Sequence, residues 1–449
     1  MTEPVMVLGN QALKVDRHAY DRFRSRRHAA HTLRRFNRKL LYGDVDLKSI
    51  AKCGNTLGST VVYKRSRNGR CRVNGVATCK SMWGCLGCAA RRRALKSAMV
   101  KYYVDAHRDA GKGVSFASFT LAHYPTDSLH DLLEALRKSF TDMRHLKVYK
   151  QAEADYGVIG WIAALEITHG INGWHPHLHV LYFHDEPLDV ESGANHGFNK
   201  ALYEAFGRQI DRHLNRQIHH IHGVTLVPVR RASREQGDDH IAEYLGKIQL
   251  ELTRQDLKTA KGDSRSPWQI ALDAAETGDA QDAARWCEYL RATKGRNVIT
   301  TGGHLAELHG EPTEEQLNAL IGDDDNDDDQ GETTGDDEQV DIASSDSDLW
   351  RDLTRCPTRP GDSPAAYALE ALERDGPDAM AVRISKFLDK PVDVTTHPET
   401  GLPHLRYANP EDRRPPRTKP PTNDPTINLD QLGPAARAWY GATRKEPHP

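Results

Sequence analysis

Glu166 and the alternating histidines His175, His177 and His179 flank an Asn-Gly pair in the segment WIAALEITHGINGWHPHLHVLYFHD (161–185). Alternate side chains of a strand share a face, so the three imidazoles lie on one side. Asn172-Gly173 predicts a two-residue type I′ hairpin turn. With those two in the turn, Ile171 pairs with Trp174, Thr168 with His177, and Glu166 with His179. Opposed residues touch, so a carboxylate joins the imidazoles. The other face carries Trp161, Leu165, Ile167, Leu178, Val180 and Tyr182, a core face. Glu166, His177 and His179 on the solvent side of a sheet make a divalent-metal site. His175, beside a proline and near the turn, is a weaker candidate for a ligand or a DNA contact. His169 and His184 read as surface residues. His220-Ile221-His222 repeats the His-apolar-His spacing. It has no carboxylate strand before it and reads as surface.

A second group of reactive side chains lies at residues 240–252, HIAEYLGKIQLEL. Ile241, Leu245, Ile248 and Leu252 recur at helical spacing and define a buried stripe. Tyr244 and Lys247, three apart, act on one spot beside that stripe. A tyrosine beside a metal can attack phosphorus and form a covalent intermediate. The metal polarises the phosphodiester, and a lysine supplies a point charge for its oxygens.

The elements that must position these groups read as β-α-β-β-α-β over 105–255. They are a strand at 114–121, a helix at about 127–147, the hairpin, a helix at about 196–216, a strand at 223–230, and the tyrosine helix. That order predicts an α+β fold, an antiparallel sheet with helices on one face, ferredoxin-like or RRM-like. Upstream, residues 53–88 hold five cysteines, Cys53, Cys71, Cys79, Cys85 and Cys88. Cys85-x-x-Cys88 is zinc-knuckle spacing, and any four of the five would close a tetrahedral structural site.

HPHLHV (175–180) followed by YLGK (244–247) resembles the HUH endonucleases, and most closely the rolling-circle plasmid replication initiators of the actinobacterial type. FASFTL (116–121) is similar to that family's first motif, the three motifs stand in its order, and GVATCKSMWGCLGCAARRR (75–93) resembles its cysteine-rich stretch. The resemblance covers about residues 50–300. It implies an enzyme, a nickase in which His177, His179 and Glu166 hold Mg²⁺ or Mn²⁺ and Tyr244 attacks the origin strand. A 5′-phosphotyrosine forms, and the free 3′-hydroxyl primes a host polymerase. Lys247 positions the phosphate. It also favours Cys53, Cys79, Cys85 and Cys88 as the zinc ligands, with Cys71 left over. Some relatives activate a terminating water with a glutamate four residues before the tyrosine. Here that position is His240, which leaves Asp239, Glu243 and Glu251 as other bases. An HUH transposase, a mobilisation relaxase or a non-enzymatic zinc-dependent DNA-binding protein are the alternative readings.

The chain has 449 residues and a formal net charge of −2, which hides a strong segregation. Residues 323–348 hold thirteen acids and no Lys or Arg, whereas 51–100 hold eleven Lys or Arg and no acid. A basic stretch of that kind attracts phosphate backbones. Expected partners are origin DNA, as an unpaired nick site with flanking duplex or hairpin, and a host helicase, because no Walker A motif occurs. The polar N-terminus and the lack of a long apolar run predict a cytoplasmic protein off the membrane. The expected organisation is a basic helical region (1–50), a zinc segment (51–100), the nuclease with a helical extension (105–310), an acidic disordered linker (311–348), a small helical segment (349–390) and a proline-rich flexible tail (391–449).

Overall fold

A computed structural model describes residues 6–8, 11–13, 17–66, 69–186, 195–228, 264–321, 339–356 and 363–413. In chain order, β1 (Met6–Leu8), β2 (Gln11–Leu13), α1 (Arg17–Leu40), α2 (Lys48–Ala51), β3 (Thr60–Arg65) and β4 (Cys71–Asn74) lead into α3 (Leu86–Asp109). Next come β5 (Gly113–Thr120), α4 (Leu129–Met143), α5 (Lys147–Asp155), β6 (Val158–Gly170), β7 (Gly173–His184), α6 (Asn195–Leu214) and β8 (Val224–Pro228). Then follow α7 (Pro267–Thr277), α8 (Ala280–Thr293), β9 (Ile299–Gly303), α9 (Leu305–His309) and α10 (Glu314–Leu320). The last elements are β10 (Val340–Asp346), α11 (Ser347–Arg355), α12 (Pro364–Asp375), α13 (Pro377–Leu388), β11 (Val392–Thr396) and β12 (Pro403–Tyr407), with a short 3₁₀ turn at Pro410–Asp412. The chain divides into two compact units. One holds residues 1–92, 270–287 and 323–449, the other 93–269 and 288–322.

The second unit carries the histidine hairpin. Its sheet runs β8-β5-β7-β6-β9, and every neighbouring pair is antiparallel. The first four strands follow the ferredoxin-like βαββαβ arrangement, in which each helix returns the chain past one strand. Leu129, Leu132, Leu133, Leu136, Phe140 and Met143 form the buried stripe of α4. Ser128 caps that helix by accepting from Asp131 N at 3.1 Å. Phe119 of β5 meets Phe140 of α4 and Phe206 of α6 edge to face. On the other face His107 of α3 packs edge-on against Phe183. The fifth strand, β9, lies within a stretch expected to be helical. Its residues ITTGG carry little apolar signal, and only pairing with β6 fixes them.

In the first unit a five-stranded sheet runs β11-β12-β10-β3-β4. Its core joins Val61, Tyr63 and Val73 from before the hairpin to Trp350, Leu353, Leu369, Leu372, Met380, Leu405 and Tyr407 from the C-terminal region. Each such side chain contributes about 1.5–3 kcal/mol on burial. This corrects the expected boundaries. Residues 340–346 are a strand in the middle of a sheet, not part of a linker, and residues 314–320 are a helix. Residues 392–396 and 403–407 are strands, not tail. VDIASSD reads as solvated because acids surround it, and its partners lie some 280 residues earlier. The acidic residues 322–338 and the residues from 414 onward lie outside the described residues. Among the described residues no helix is long and apolar enough to cross a membrane.

Candidate metal centre and its relatives

The hairpin between β6 and β7 closes with Gly170 opposite Gly173, leaving Ile171 and Asn172 in the turn. Glu166 therefore faces His177, and Thr168 faces His175. The expected type I′ turn needs positive φ at both central residues. Here Asn172 does not have it, and the left-handed residue is Gly173 at φ +83. A Cβ on Gly173 would sit 3.0 Å from Pro125 Cα and 3.1 Å from Tyr124 O. The register differs from the expected one by two residues. An even shift keeps every side chain on its face, so Glu166 still joins the imidazoles.

The Nε2 atoms of His177 and His179 both reach Glu166 Oε2, at 2.7 and 3.0 Å. One ligand atom from each of the three residues lies within 4.8 Å of the others. Glu166 and His179 are buried. Burial works against the Glu166 charge, but hydrogen bonds from His177 and His179 outweigh it and hold the carboxyl well below the usual range. On β5, Ser118 lies opposite His179, and its Oγ meets His179 Nδ1 at 2.9 Å. Phe116 stacks on the same ring at 5.2 Å. His179 is thus oriented from behind, as metal-ligating imidazoles usually are. His177 Nδ1 is buried without a hydrogen-bond partner. Two imidazole nitrogens and a carboxylate oxygen converging on one point suit a divalent cation of the Mn²⁺, Fe²⁺ or Zn²⁺ type, and also Mg²⁺.

His175 is not in that triad. It lies between His177, at 4.9 Å between ring centres, and His123, stacked at 4.7 Å. Burial, then the charges of His177 and His123, push it down to about 4. His123 escaped the sequence reading, and its position just beyond the β5 motif FASFTL was the available signal. His184, expected at the surface, is fully buried, with contacts from Nδ1 to Tyr156 O and from Nε2 to Ser115 Oγ, each at 2.8 Å. His169 packs edge-on against Trp174. His220 and His222 are exposed. Trp174 is anchored through its indole N–H, which donates to Glu288 at 2.8 Å. Tyr244, Lys247 and His240 lie outside the described residues, as do Asp239, Glu243 and Glu251.

In the first unit Cys53, Cys79, Cys85 and Cys88 present four sulfurs within 4.8 Å of one another. Cys53 Sγ lies 3.6 Å from both Cys85 Sγ and Cys88 Sγ. Four thiolates at ~2.3 Å from a tetrahedral zinc would stand about 3.8 Å apart. Cys71 is elsewhere, in the sheet core. Asn37 ties α1 to the knuckle, donating to Gly84 O at 3.0 Å and accepting from the Trp286 indole at 2.7 Å. Arg34 lies beside the sulfurs. Burial opposes its charge, but Cys85 and Cys53 more than offset that. Glycine at 87 makes room for it, since a Cβ there would lie 2.5 Å from Arg34 Nη2.

Residues 70–187, from β4 to the end of the hairpin, match the model of the replication protein family. Over that segment, about a quarter of its length, the chain is similar to replication proteins. It is similar to "Protein rep" of Streptomyces lividans, at 28% identity over 56% of this chain and 68% of that protein. It is also similar to "Protein rep" of Streptococcus pneumoniae, at 27% identity over 39% of this chain and 52% of that protein. A third relative, a "Neomycin resistance protein" of Streptomyces cyanogenus, is 26% identical over 27% of this chain and 33% of its own length. The chain spans about half of the Streptococcus protein. No solved structure matches it. The matched segment contains both the knuckle's last three cysteines and all three members of the Glu-His-His triad.

Proposed function

We propose that this chain is a plasmid Rep protein that initiates rolling-circle replication by nicking one strand at the origin. The observation that carries the reading is the convergence of Glu166, His177 and His179 on one point of the sheet, inside the replication-protein segment. A bound Mg²⁺ or Mn²⁺ would draw electron density from a scissile phosphate there. Glu166 and the two imidazoles hold it, and Ser118 fixes the His179 ring. The Tyr244 oxygen forms a bond to phosphorus while the bond to the 3′ oxygen breaks. The phenolic proton goes to a base and the leaving oxygen takes one up. One phosphodiester is exchanged for another, so no nucleotide is hydrolysed. Lys247 neutralises the phosphate, and His240, beside Asp239, Glu243 and Glu251, is the candidate base for the second cut. The four cysteines hold a structural Zn²⁺. Origin DNA is the partner, unpaired at the nick, with a host helicase and polymerase completing the cycle in the cytoplasm.

The test incubates the Rep with a single-stranded origin oligonucleotide and Mn²⁺ and resolves the products on a denaturing gel. A DNA-linked protein band that maps to Tyr244 and vanishes in Tyr244→Phe is the expected result. A Tyr244→Phe chain that still forms the adduct would sink the assignment of the nucleophile. A wild-type chain that binds origin DNA without ever cutting it would sink the nickase.

A further inference from the structure

One face of α1 presents His31, Arg34, Arg35 and Arg38, at helical spacing, to a narrow cleft in the first unit. Gly54, Val73, Val76, Trp350 and Thr354 close the cleft, and among the described residues no carboxylate lines it. It encloses about 290 Å³ including its open mouth. Its inner space is only about 10 Å³, enough for roughly one water-sized group.

Buried polar groups without partners are costly and rare. Several meet here. Nε and Nη1 of Arg38 are buried and have no hydrogen-bond partner, and neither has Nε2 of His31, which is 8% exposed. A second, adjoining cleft also includes His31, Arg35 and Thr354, and adds Thr32, whose buried Oγ1 has no partner either. Arg34 has the cysteine sulfurs as its counter-charge, and Arg35 donates to Cys356 O at 3.1 Å. Burial, and then the charges of Arg355 and Arg34, push the Arg38 guanidinium down to about 10, so it stays charged at neutral pH. A cleft with positive charge and spare donors, whose inner space takes one oxygen and whose open mouth takes the rest of the group, suits an oxyanion. We infer that this cleft binds a single phosphate group, with Arg38 as its main ligand and His31 beside it. The narrow interior admits phosphate oxygens but not a nucleoside. A backbone phosphate of duplex DNA, or free phosphate, supplies that chemistry. The DNA source rests on the replication reading, while the phosphate site itself does not.

The experiment uses the full chain with zinc bound. Inorganic phosphate should raise the unfolding midpoint of the wild type and leave that of Arg38→Met unmoved, with Arg38→Lys between them. Zinc content equal to wild type shows that Arg38→Met has folded. Origin duplex is then titrated over a range of salt. Losing one phosphate contact should weaken duplex binding about tenfold and lower the salt slope by about one. Lys39→Met, at the exposed neighbouring position, is the comparison for general charge loss. Loss of the phosphate response with the duplex slope unchanged supports the site and makes free phosphate its occupant. Equal phosphate responses in wild type and Arg38→Met overturn the inference. Should Arg38→Met fail to fold, hydrogen exchange on the wild type decides: phosphate must slow exchange in 31–38 and 350–354, and no slowing there overturns it.

Discussion

Ser118 shows what a single hydroxyl does for the triad. Its contact with His179 Nδ1 leaves Nε2 of that ring aimed at Glu166. Ser118→Ala should therefore weaken Mn²⁺ binding ten- to a hundredfold, the usual effect of removing such support. The unfolding midpoint should scarcely move. Calorimetric titration with Mn²⁺ checks this, and unchanged affinity would mean that Phe116 alone orients the ring. His184 governs a different property. Burial pushes its pKa down to about 4 in the folded chain, against an ordinary 6.5. Above pH 6.5 it is neutral in both states, and its contribution is fully present. As the pH falls from 6.5 towards 4 the unfolded chain takes up a proton that the folded one refuses. The loss approaches about 3 kcal/mol. Urea unfolding at pH 7.5 and pH 5 should show this, with a shallower pH slope in His184→Gln. The triad was legible because strand parity needs only the spacing of Glu166, His177 and His179. Ser118 and His123 were not, because strand pairing and loop path, rather than spacing, bring them to the imidazoles.

Hairpin and edge strand show how elements escape a local reading. Asn172-Gly173 announced a turn but not its register, because one left-handed glycine serves more than one turn geometry. The site survived since the error was even. An odd slip would have sent Glu166 to the apolar side. β9 was invisible for a related reason: its glycines are there for closeness, not for strand propensity. Gly303 has φ +84, and a Cβ on it would overlap Gly160 Cα and Ile159 O. Backbone cannot yield as a flexible side chain can. Gly303→Ala is thus expected to cost about 2 kcal/mol or more, from overpacking and left-handed strain together. Gly310 makes the comparison. Its φ is +77 but nothing lies within 4 Å of the added atom, so Gly310→Ala should cost about 1 kcal/mol. Chemical denaturation of both variants measures the difference. Equal losses would show that strain, and not the close approach of β9 to β6, sets the requirement for glycine.

At the scale of the whole molecule, the two ends of the sequence build one unit. The strands of the C-terminal third fell in stretches read as linker and tail, on either side of the expected helical segment, because acidic and proline-rich residues surround them and no local signal marks pairing across so long a loop. Yet β10 lies between β3 and β12, and Trp350, Leu353, Leu369 and Tyr407 complete the core begun by Val61 and Tyr63. Arg27 of α1 forms a buried, two-pronged ion pair with Glu373 of α12, and Glu373 Oε1 also accepts from Cys71 N at 2.5 Å. A chain cut after residue 322 would keep β3 and β4 only as a two-stranded ribbon, which is marginal in water. It would also remove the Glu373 partner of Arg27. α1 supplies Asn37 and Arg34 to the cysteine knuckle, so damage to its packing should reach the metal centre. The truncated chain is expected to purify with little zinc and to be cleaved by protease within α1. The sheet that carries the histidine triad should persist, because its core lies within the other unit. Glu373→Gln in the full chain should show the zinc loss in weaker form. A truncated chain with full zinc content and an uncut α1 would mean that the first 92 residues fold without the C-terminal third, contrary to the shared core described above.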